Sequence, residues 1–208
     1  FLSPLALEFE KGMRMLSLCK KRYAAYLIGK GGEFKMEDIV DRLGNVVGSK
    51  RQFLTRGIIL ARRDNCPFAR RVYAGILDMV MNGSSFEATM EYLIDAVLEL
   101  IDGRVPVEEL VVTKALGTSY AKESNCMKIF ADNLKKAGKI VSPGDRLPYV
   151  LIKTYDGSDK VGPKMRLIDQ YYEALNTDTP YEIDVSCYLT KCLSKPINQL
   201  ISIGFQKV

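Results

Sequence analysis

The chain has 208 residues, 47% apolar and 26% charged, which excludes wholesale disorder and fits one ordinary domain or two small ones. Histidine is absent, so Ser-His-Asp, Cys-His and His-ligated metal chemistry are excluded within the chain. The net charge of +5 conceals a layout: residues 1–73 carry 15 Lys and Arg against 7 Asp and Glu, residues 74–112 carry 1 against 8, and residues 113–208 carry 14 against 10.

Two basic segments around an acidic one fit a surface with one face for an anion, a nucleic acid first among them, and another face held away from it. Cys19, Cys66, Cys126, Cys187 and Cys192 form no Cys-x-x-Cys pair, which speaks against a disulfide framework or zinc ribbon and for a reducing, intracellular setting. No apolar run reaches the roughly 18 residues of a membrane span, and the start lacks a signal-peptide pattern. Phe1 in place of an initiator Met fits a processed chain or a piece of a longer one.

Ser3-Pro4 is a helix-start pair, so residues 4–19 are expected to be helical. Tyr23 to Ile28 is short, aromatic and apolar, the signature of a strand. Residues 29–52 are glycine-rich and charged, a long connection with room for a short helix near 36–43. Ile58-Ile59-Leu60-Ala61 is the second expected strand, giving an elaborated hairpin on one sheet. After Asp64 the period changes: Phe68, Val72, Ile76 and Val80 recur every four residues, and Asn82-Gly83 ends that helix. Ser84-Ser85-Phe86-Glu87 reads as a capping box for a helix with Phe86, Met90, Leu93, Val97 and Ile101 on one stripe. A helix over 125–138, with Met127, Phe130 and Leu134 inward, a strand over Tyr149–Lys153, and a helical stretch over 184–203 interrupted by Pro196 complete the pass. The fold class is α+β, with a boundary near residue 64.

Gly44 to Lys50 resembles a phosphate loop but is one residue short between its glycines, so a surface turn is the better reading. Asp156-Gly157-Ser158-Asp159 lacks a third metal ligand and reads as a turn. Lys20-Lys21-Arg22-Tyr23 is more informative: three cations and a phenol stand where a strand begins, and alternation would put Lys21 and Tyr23 on one side with Lys20 and Arg22 on the other. The ordinary reading is a solvated charge run; the functional one is a strand edge laid against a phosphate backbone. Arg56, Arg62 and Arg63 bracket the second expected strand, with Arg70-Arg71 on the helix after it; Lys114 and Arg146 stand at the ends of short apolar segments, a placement that suits phosphate contact.

In order along the chain, these segments resemble the C-terminal part of family B DNA polymerases. Lys20-Lys21-Arg22-Tyr23-Ala24 looks like a palm motif, and Thr55-Arg56-Gly57 to Arg62-Arg63-Asp64 looks like the strand leading from palm to thumb. Leu110 to Lys114, Tyr120, Ala131 to Leu134, Pro143 to Val150, and Ile183-Asp184 to Tyr188 with Gly204-Phe205 after it follow in the order of the thumb. Ile59 stands where many members carry an acidic residue, Asn125-Cys126-Met127 replaces a segment that often contains His, and the 29–52 connection is longer than in compact archaeal members, which points to a divergent lineage such as a large DNA virus.

The resemblance implies the end of an antiparallel palm sheet, a helix plus a strand pair, over 1–64 and a mostly helical thumb over 65–208. It implies that Lys20 and Lys21 contact the minor groove and backbone near the primer terminus, with Arg22 and Tyr23 supporting. Arg56, Arg62, Arg63, Lys114 and Arg146 are further DNA contacts, and the acidic helices over 74–101 face away from DNA. The Ser-Leu-Tyr-Pro-Ser and Tyr-Gly-Asp-Thr-Asp stretches that bind metal in the family are absent. The Mg²⁺ of a full polymerase would be held outside this chain, with dNTP as substrate, primer–template DNA as partner, and palm, fingers and exonuclease domains upstream. No catalytic residue, metal site or membrane association is assigned here, and the segment alone is expected to be inactive. The competing readings are a non-enzymatic duplex-DNA-binding accessory module and a helical adaptor using the acidic face.

Overall fold

A computed structural model describes residues 12–41, 44–61, 64–154 and 160–205. The chain divides into two compact units, Phe1–Ala61 and Arg62–Val208.

In the first unit, strands β1 (Gly12–Cys19), β2 (Arg22–Ile28) and β5 (Phe53–Arg56) form an antiparallel sheet in the order β1-β2-β5, and β3 (Met36–Val40) pairs with β4 (Val46–Arg51) as a separate hairpin. The central strand buries Ala24, Ala25 and Tyr26, and the Tyr26 ring meets Phe34 and Phe53 at 5.7 and 5.2 Å. The expected 4–19 helix is corrected over its described part: 12–19 is a strand. Leu16 and Leu18 lie on the more buried side while Met13 and Met15 are exposed, and backbone pairing with β2 decides the matter over a local helix-start signal. The expected helix near 36–43 is likewise corrected over its described part, where Met36–Val40 is a strand. Asp41 accepts hydrogen bonds from the Asn45 backbone N–H and side-chain amide at 2.9 and 3.1 Å, closing a turn that folds β4 back on β3. Gly44 thus belongs to a turn. The expected second strand over Ile58–Ala61 is corrected: the strand that pairs with β2 is Phe53–Arg56, it ends before Gly57 at φ 65°, and Ile59–Ala61 is one 3₁₀ turn.

In the second unit, helix α1 (Pro67–Asn82) starts on Pro67 and stops at Gly83, whose φ of 77° lets its N–H turn back to Val80 O. Helix α2 (Phe86–Ile101) is capped by Ser85, whose hydroxyl accepts from Ala88 N–H at 3.1 Å. Glu87 therefore lies in the first turn and not at the reciprocal position of the expected capping box. Its buried face is Thr89, Ala96 and Leu100, not the expected stripe, of which Phe86 and Ile101 are exposed. Helices α3 (Val107–Leu110), α4 (Cys126–Lys136), α5 (Val161–Lys164), α6 (Ile168–Ala174), α7 (Val185–Tyr188) and α8 (Lys195–Gly204) follow. Between them run β6 (Val112–Ala115), β7 (Arg146–Leu151) and β8 (Met165–Leu167) in one antiparallel sheet ordered β6-β7-β8, where the sequence pointed to a single strand. Leu189–Ser194 is a π-helical stretch just before Pro196, which has no N–H to give and whose ring crowds the preceding turn.

Phe68, Val72, Ile76 and Leu77 of α1 join Phe130 and Leu134 of α4, Val150, Tyr188 and Leu200 in the core of this unit, each no more than 2% exposed. Side chains of this size stabilise by roughly 1.5–3 kcal/mol each when fully buried. Burial pushes the Tyr188 phenol up in pKa, and its hydroxyl is fully engaged: it donates to Leu110 O at 2.7 Å and accepts from Leu151 N–H at 3.1 Å, fastening the two chain segments at one end of the β6–β7 pair.

Candidate functional site

The Lys20-Lys21 pair forms the two-residue turn of the β1–β2 hairpin, closed by Cys19 opposite Arg22. The expectation that Lys20 and Lys21 alternate along a strand is therefore corrected, since both stand at the apex. The register shifts between Ser17 and Cys19, so Leu18 is a bulge residue, and Lys21 adopts φ 65°, the single positive φ outside glycine among the described residues. Neighbouring Gly57 also has φ +65°, and a Cβ there would stand 2.6 Å from Lys21 O and 3.1 Å from Arg22 Cγ. Only glycine permits so close a backbone approach in that conformation. Tyr23 pairs with Ser17 on one side and Arg56 on the other, so those three side chains share one face of the sheet.

Lys20, Lys21, Arg22, Tyr23 and Arg56 are thus brought together. The four cations are exposed and Tyr23 is half-buried. Among the described residues no carboxylate is ion-paired to any of these cations. Four exposed cations at and beside one turn, without an ion-pair partner among the described residues, create a positive potential that a polyanion would satisfy. Arg62 and Arg63 lie outside the described residues.

Arg71 behaves differently. It bonds Glu99 at 3.0 Å and Glu109 at 3.1 Å, and the Glu99 hydrogen bonds lift its pKa above the ordinary guanidinium value. It is a strut between α1, α2 and α3, not part of a free basic surface.

Lys114 and Arg146 occupy adjoining strands but opposite faces. Lys114 is opposite Leu147, on the face where Val112, Leu147 and Tyr149 are buried, whereas Arg146 is opposite Ala115 and both are exposed. Lys114 is half-buried at the edge of that inner face. Next to this strand pair is a cleft of about 300 Å³, lined in part by Thr118, Ser119, Tyr120, Lys128 and Lys135. The Tyr120 hydroxyl accepts from Gly117 N–H at 2.6 Å, and Lys128 is ion-paired with Glu123. Asn125 accepts from Met127 N–H at 2.9 Å and caps α4. A larger cleft of about 540 Å³ takes in Lys153, Thr154, Arg166 and Tyr181, with Arg166 over the Tyr181 ring. Sequence reasoning missed the approach of Gly57 to Lys21 and this second cleft. Gly57 was visible as a glycine but its approach to Lys21 is a tertiary contact that no local spacing signals, and nothing in the spacing signalled the second.

Among the described residues no group of three His, Cys, Asp or Glu side chains is placed to hold a metal ion. The Asp156–Asp159 stretch lies outside the described residues. No helix among the described residues is long and apolar enough to cross a membrane.

The model of DNA polymerase family B matches residues 1–203. A DNA polymerase of Pyramimonas orientalis virus is 27% identical over 99% of the chain, and the DNA polymerase delta catalytic subunit of Schizosaccharomyces pombe is 31% identical over 95% of it. In both comparisons the chain spans only 16% of the relative's length. The family B DNA polymerase of Pyrobaculum calidifontis shares the fold at a TM-score of 0.54 and 20% identity, over 90% of this chain and 20% of that one. With the family model matching nearly its whole length, the chain belongs to DNA polymerase family B.

Proposed function

We propose that the chain is the end of the palm, over 1–64, and the thumb, over 65–208, of a replicative DNA polymerase, and that it grips primer–template duplex while other parts of the enzyme perform nucleotidyl transfer. The observation that carries this reading is the exposed turn with Lys20, Lys21, Arg22 and Arg56, held by Gly57 and free of carboxylate partners among the described residues. A polymerase must hold any sequence, so it works through phosphates and through the minor-groove acceptors that every correct base pair presents at equivalent positions. In this reading Lys20 and Lys21 touch the groove and backbone near the primer terminus, and Arg22, Tyr23 and Arg56 support them. Lys114 and Arg146 meet phosphates further along the duplex, and Arg62 and Arg63 are further contacts. Divalent metal, Mg²⁺ in this reading, would be bound by carboxylates upstream of this chain and would supply charge neutralisation at the transferred phosphoryl group.

The test is a salt titration of duplex binding by the 208-residue chain. Each phosphate neutralised contributes about −0.9 to the slope of log K against log salt, so replacing Lys20 and Lys21 together by Ala should flatten the slope by about one to two. An unchanged slope removes these lysines from the interface, and binding that ignores salt overturns the reading. An accessory duplex-binding module would share the salt dependence. It would differ in that a longer natural polypeptide containing the chain extends no primer.

A further inference from the structure

Helix α2 carries more apolar surface than its own unit covers. Its buried face, Thr89, Ala96 and Leu100, is narrow and made largely of small side chains. On the opposite side Ile94, Leu98 and Ile101, at i, i+4 and i+7, remain 51%, 45% and 55% exposed. That spacing makes one continuous ridge on a helix. At the C-terminal end of the ridge opens a cavity of about 440 Å³, lined in part by Leu100, Ile101, Val105, Val107, Tyr171 and Val185. Beside the ridge run Glu87, Glu91 and Asp95, spaced four residues apart. Among the described residues none of these three carboxylates has an ion-pair partner.

The charges select the occupant. A second copy docking by the same face would bring one row of carboxylates towards another, which is destabilising. Nucleic acid and anionic lipid are repelled for the same reason. A polar, charged rim around an apolar centre is the anatomy of an interface that forms and dissolves, and a rim of one sign calls for a partner of the other. We propose that the α2 face is a docking surface for a cationic amphipathic helix of a separate polypeptide. Its apolar side chains lie along Ile94, Leu98 and Ile101 with one entering the cavity, and its Lys or Arg residues, repeated every three to four positions, face Glu87, Glu91 and Asp95. This surface is independent of the cationic turn, so either assignment can fail without the other.

The probe is an 18-residue amphipathic peptide of Leu and Lys, titrated at physiological salt into the 208-residue chain and into a longer natural polypeptide that contains it. Binding is read by fluorescence anisotropy. A Leu/Glu peptide of the same pattern and a sequence-scrambled Leu/Lys peptide serve as controls. Leu98→Ser should weaken binding roughly tenfold or more, as expected for a central apolar anchor. Glu91→Gln with Asp95→Asn should weaken it several-fold and reduce its salt dependence. These two carboxylates are exposed, so the pair of substitutions tests the surface even where Leu98→Ser disturbs folding. Equal binding by the scrambled peptide, or no effect of Leu98→Ser on a folded chain, reduces the interaction to general charge attraction and overturns the proposal. So do a concentration-dependent dimer lost on Leu98→Ser, failure of the peptide to bind, and binding to the short chain but not the longer one; the last result assigns the face to the enzyme's own chain.

Discussion

The turn at Lys20-Lys21 and the β6–β7 pair that carries Lys114 and Arg146 both present cations at strand ends, but they are fixed by different means. The turn depends on backbone fit: Lys21 sits at φ 65°, and Gly57 leaves no room for a Cβ beside the Lys21 carbonyl. The strand pair is fastened by side chains and by its loop. The Tyr188 hydroxyl joins Leu110 to Leu151 at one end; at the other Leu116 N–H donates to Asp145 O and Leu116 O accepts from Gly144 N–H, both at 2.8 Å, while Asp145 Oδ2 accepts from Ser142 N–H at 2.7 Å. A backbone fit leaves little slack and no substitute contact, so it suits a group whose position matters to a fraction of an ångström. A network distributes load and tolerates the loss of one outer member, which suits a surface that only has to hold on.

The largest expected effect comes from breaking the network at its buried root. Asp184 caps the short helix that bears Tyr188, accepting from Cys187 N–H at 2.8 Å, and pairs with Lys164 at 2.7 Å with both side chains mostly buried. Removing one side of a buried ion pair costs about 3–5 kcal/mol. Asp184→Ala should therefore lower the melting temperature of the 208-residue chain by on the order of 10 °C. A shift of only a degree or two would mean that the strand pair does not depend on these side chains, and the contrast with the turn would lose its basis.

The backbone-held turn is expected to be sensitive in rate more than in stability. In a polymerase containing this segment, Lys21→Ala and Gly57→Ala should each slow single-turnover incorporation by roughly a hundredfold, the cost of misplacing a reacting group by about 1 Å. Gly57 itself has no side chain with which to touch DNA; its substitution acts by displacing the Lys21 carbonyl. Duplex affinity should fall far less, since one groove or phosphate contact is worth only about 1–3 kcal/mol and others share the load. If Gly57→Ala leaves the rate intact while Lys21→Ala reduces it, the cation matters and its exact seat does not.

How much of this was legible in the sequence depended on the kind of force at work. The four-residue recurrence from Phe68 to Val80 specified α1, because burial of one face governs a helix packed on a core. Tyr23 to Ile28 announced a strand through its β-favouring residues, but its later partner is Phe53–Arg56 and not the apolar run Ile58–Ala61 that resembled one. Residues 12–19 did not, because their structure is set by pairing with β2, and neither Met13 nor Met15 contributes to the buried alternation that marks a half-buried strand. The same holds for β3 and β4, exposed along almost their whole length, where no periodic burial could show. For the site, the cationic run and Arg56 were visible as residue types, and the turn that unites them with Gly57 was not, since a left-handed lysine is fixed by its tertiary neighbour.

The smallest expected effect separates two cations that the sequence treated alike. Lys114 and Arg146 stand on opposite faces of one strand pair, so a duplex lying against one face cannot use both equally. Lys114 shares its face with buried Val112, Leu147 and Tyr149 and is itself half-buried; Arg146 shares its face with exposed Ala115 and is exposed. A lysine in that position acts partly by packing its methylene groups, an arginine on the open face by its charge alone. Arg146→Ala should thus weaken duplex binding by about 1 kcal/mol, roughly fivefold, chiefly through faster dissociation, and should flatten the salt slope by about one. Single-turnover incorporation at saturating DNA should stay close to normal, because this contact holds the duplex without aiming the primer end. Lys114→Ala should change the salt slope less and show part of its effect as lower thermal stability. The measurements are DNA dissociation rates at three salt concentrations, single-turnover rates, and melting temperatures for both variants. A larger loss of binding for Lys114→Ala would put the inner face of β6–β7 against DNA. Equal losses with equal slope changes would mean that these strands meet the duplex edge-on, with both cations reaching phosphates from the rim.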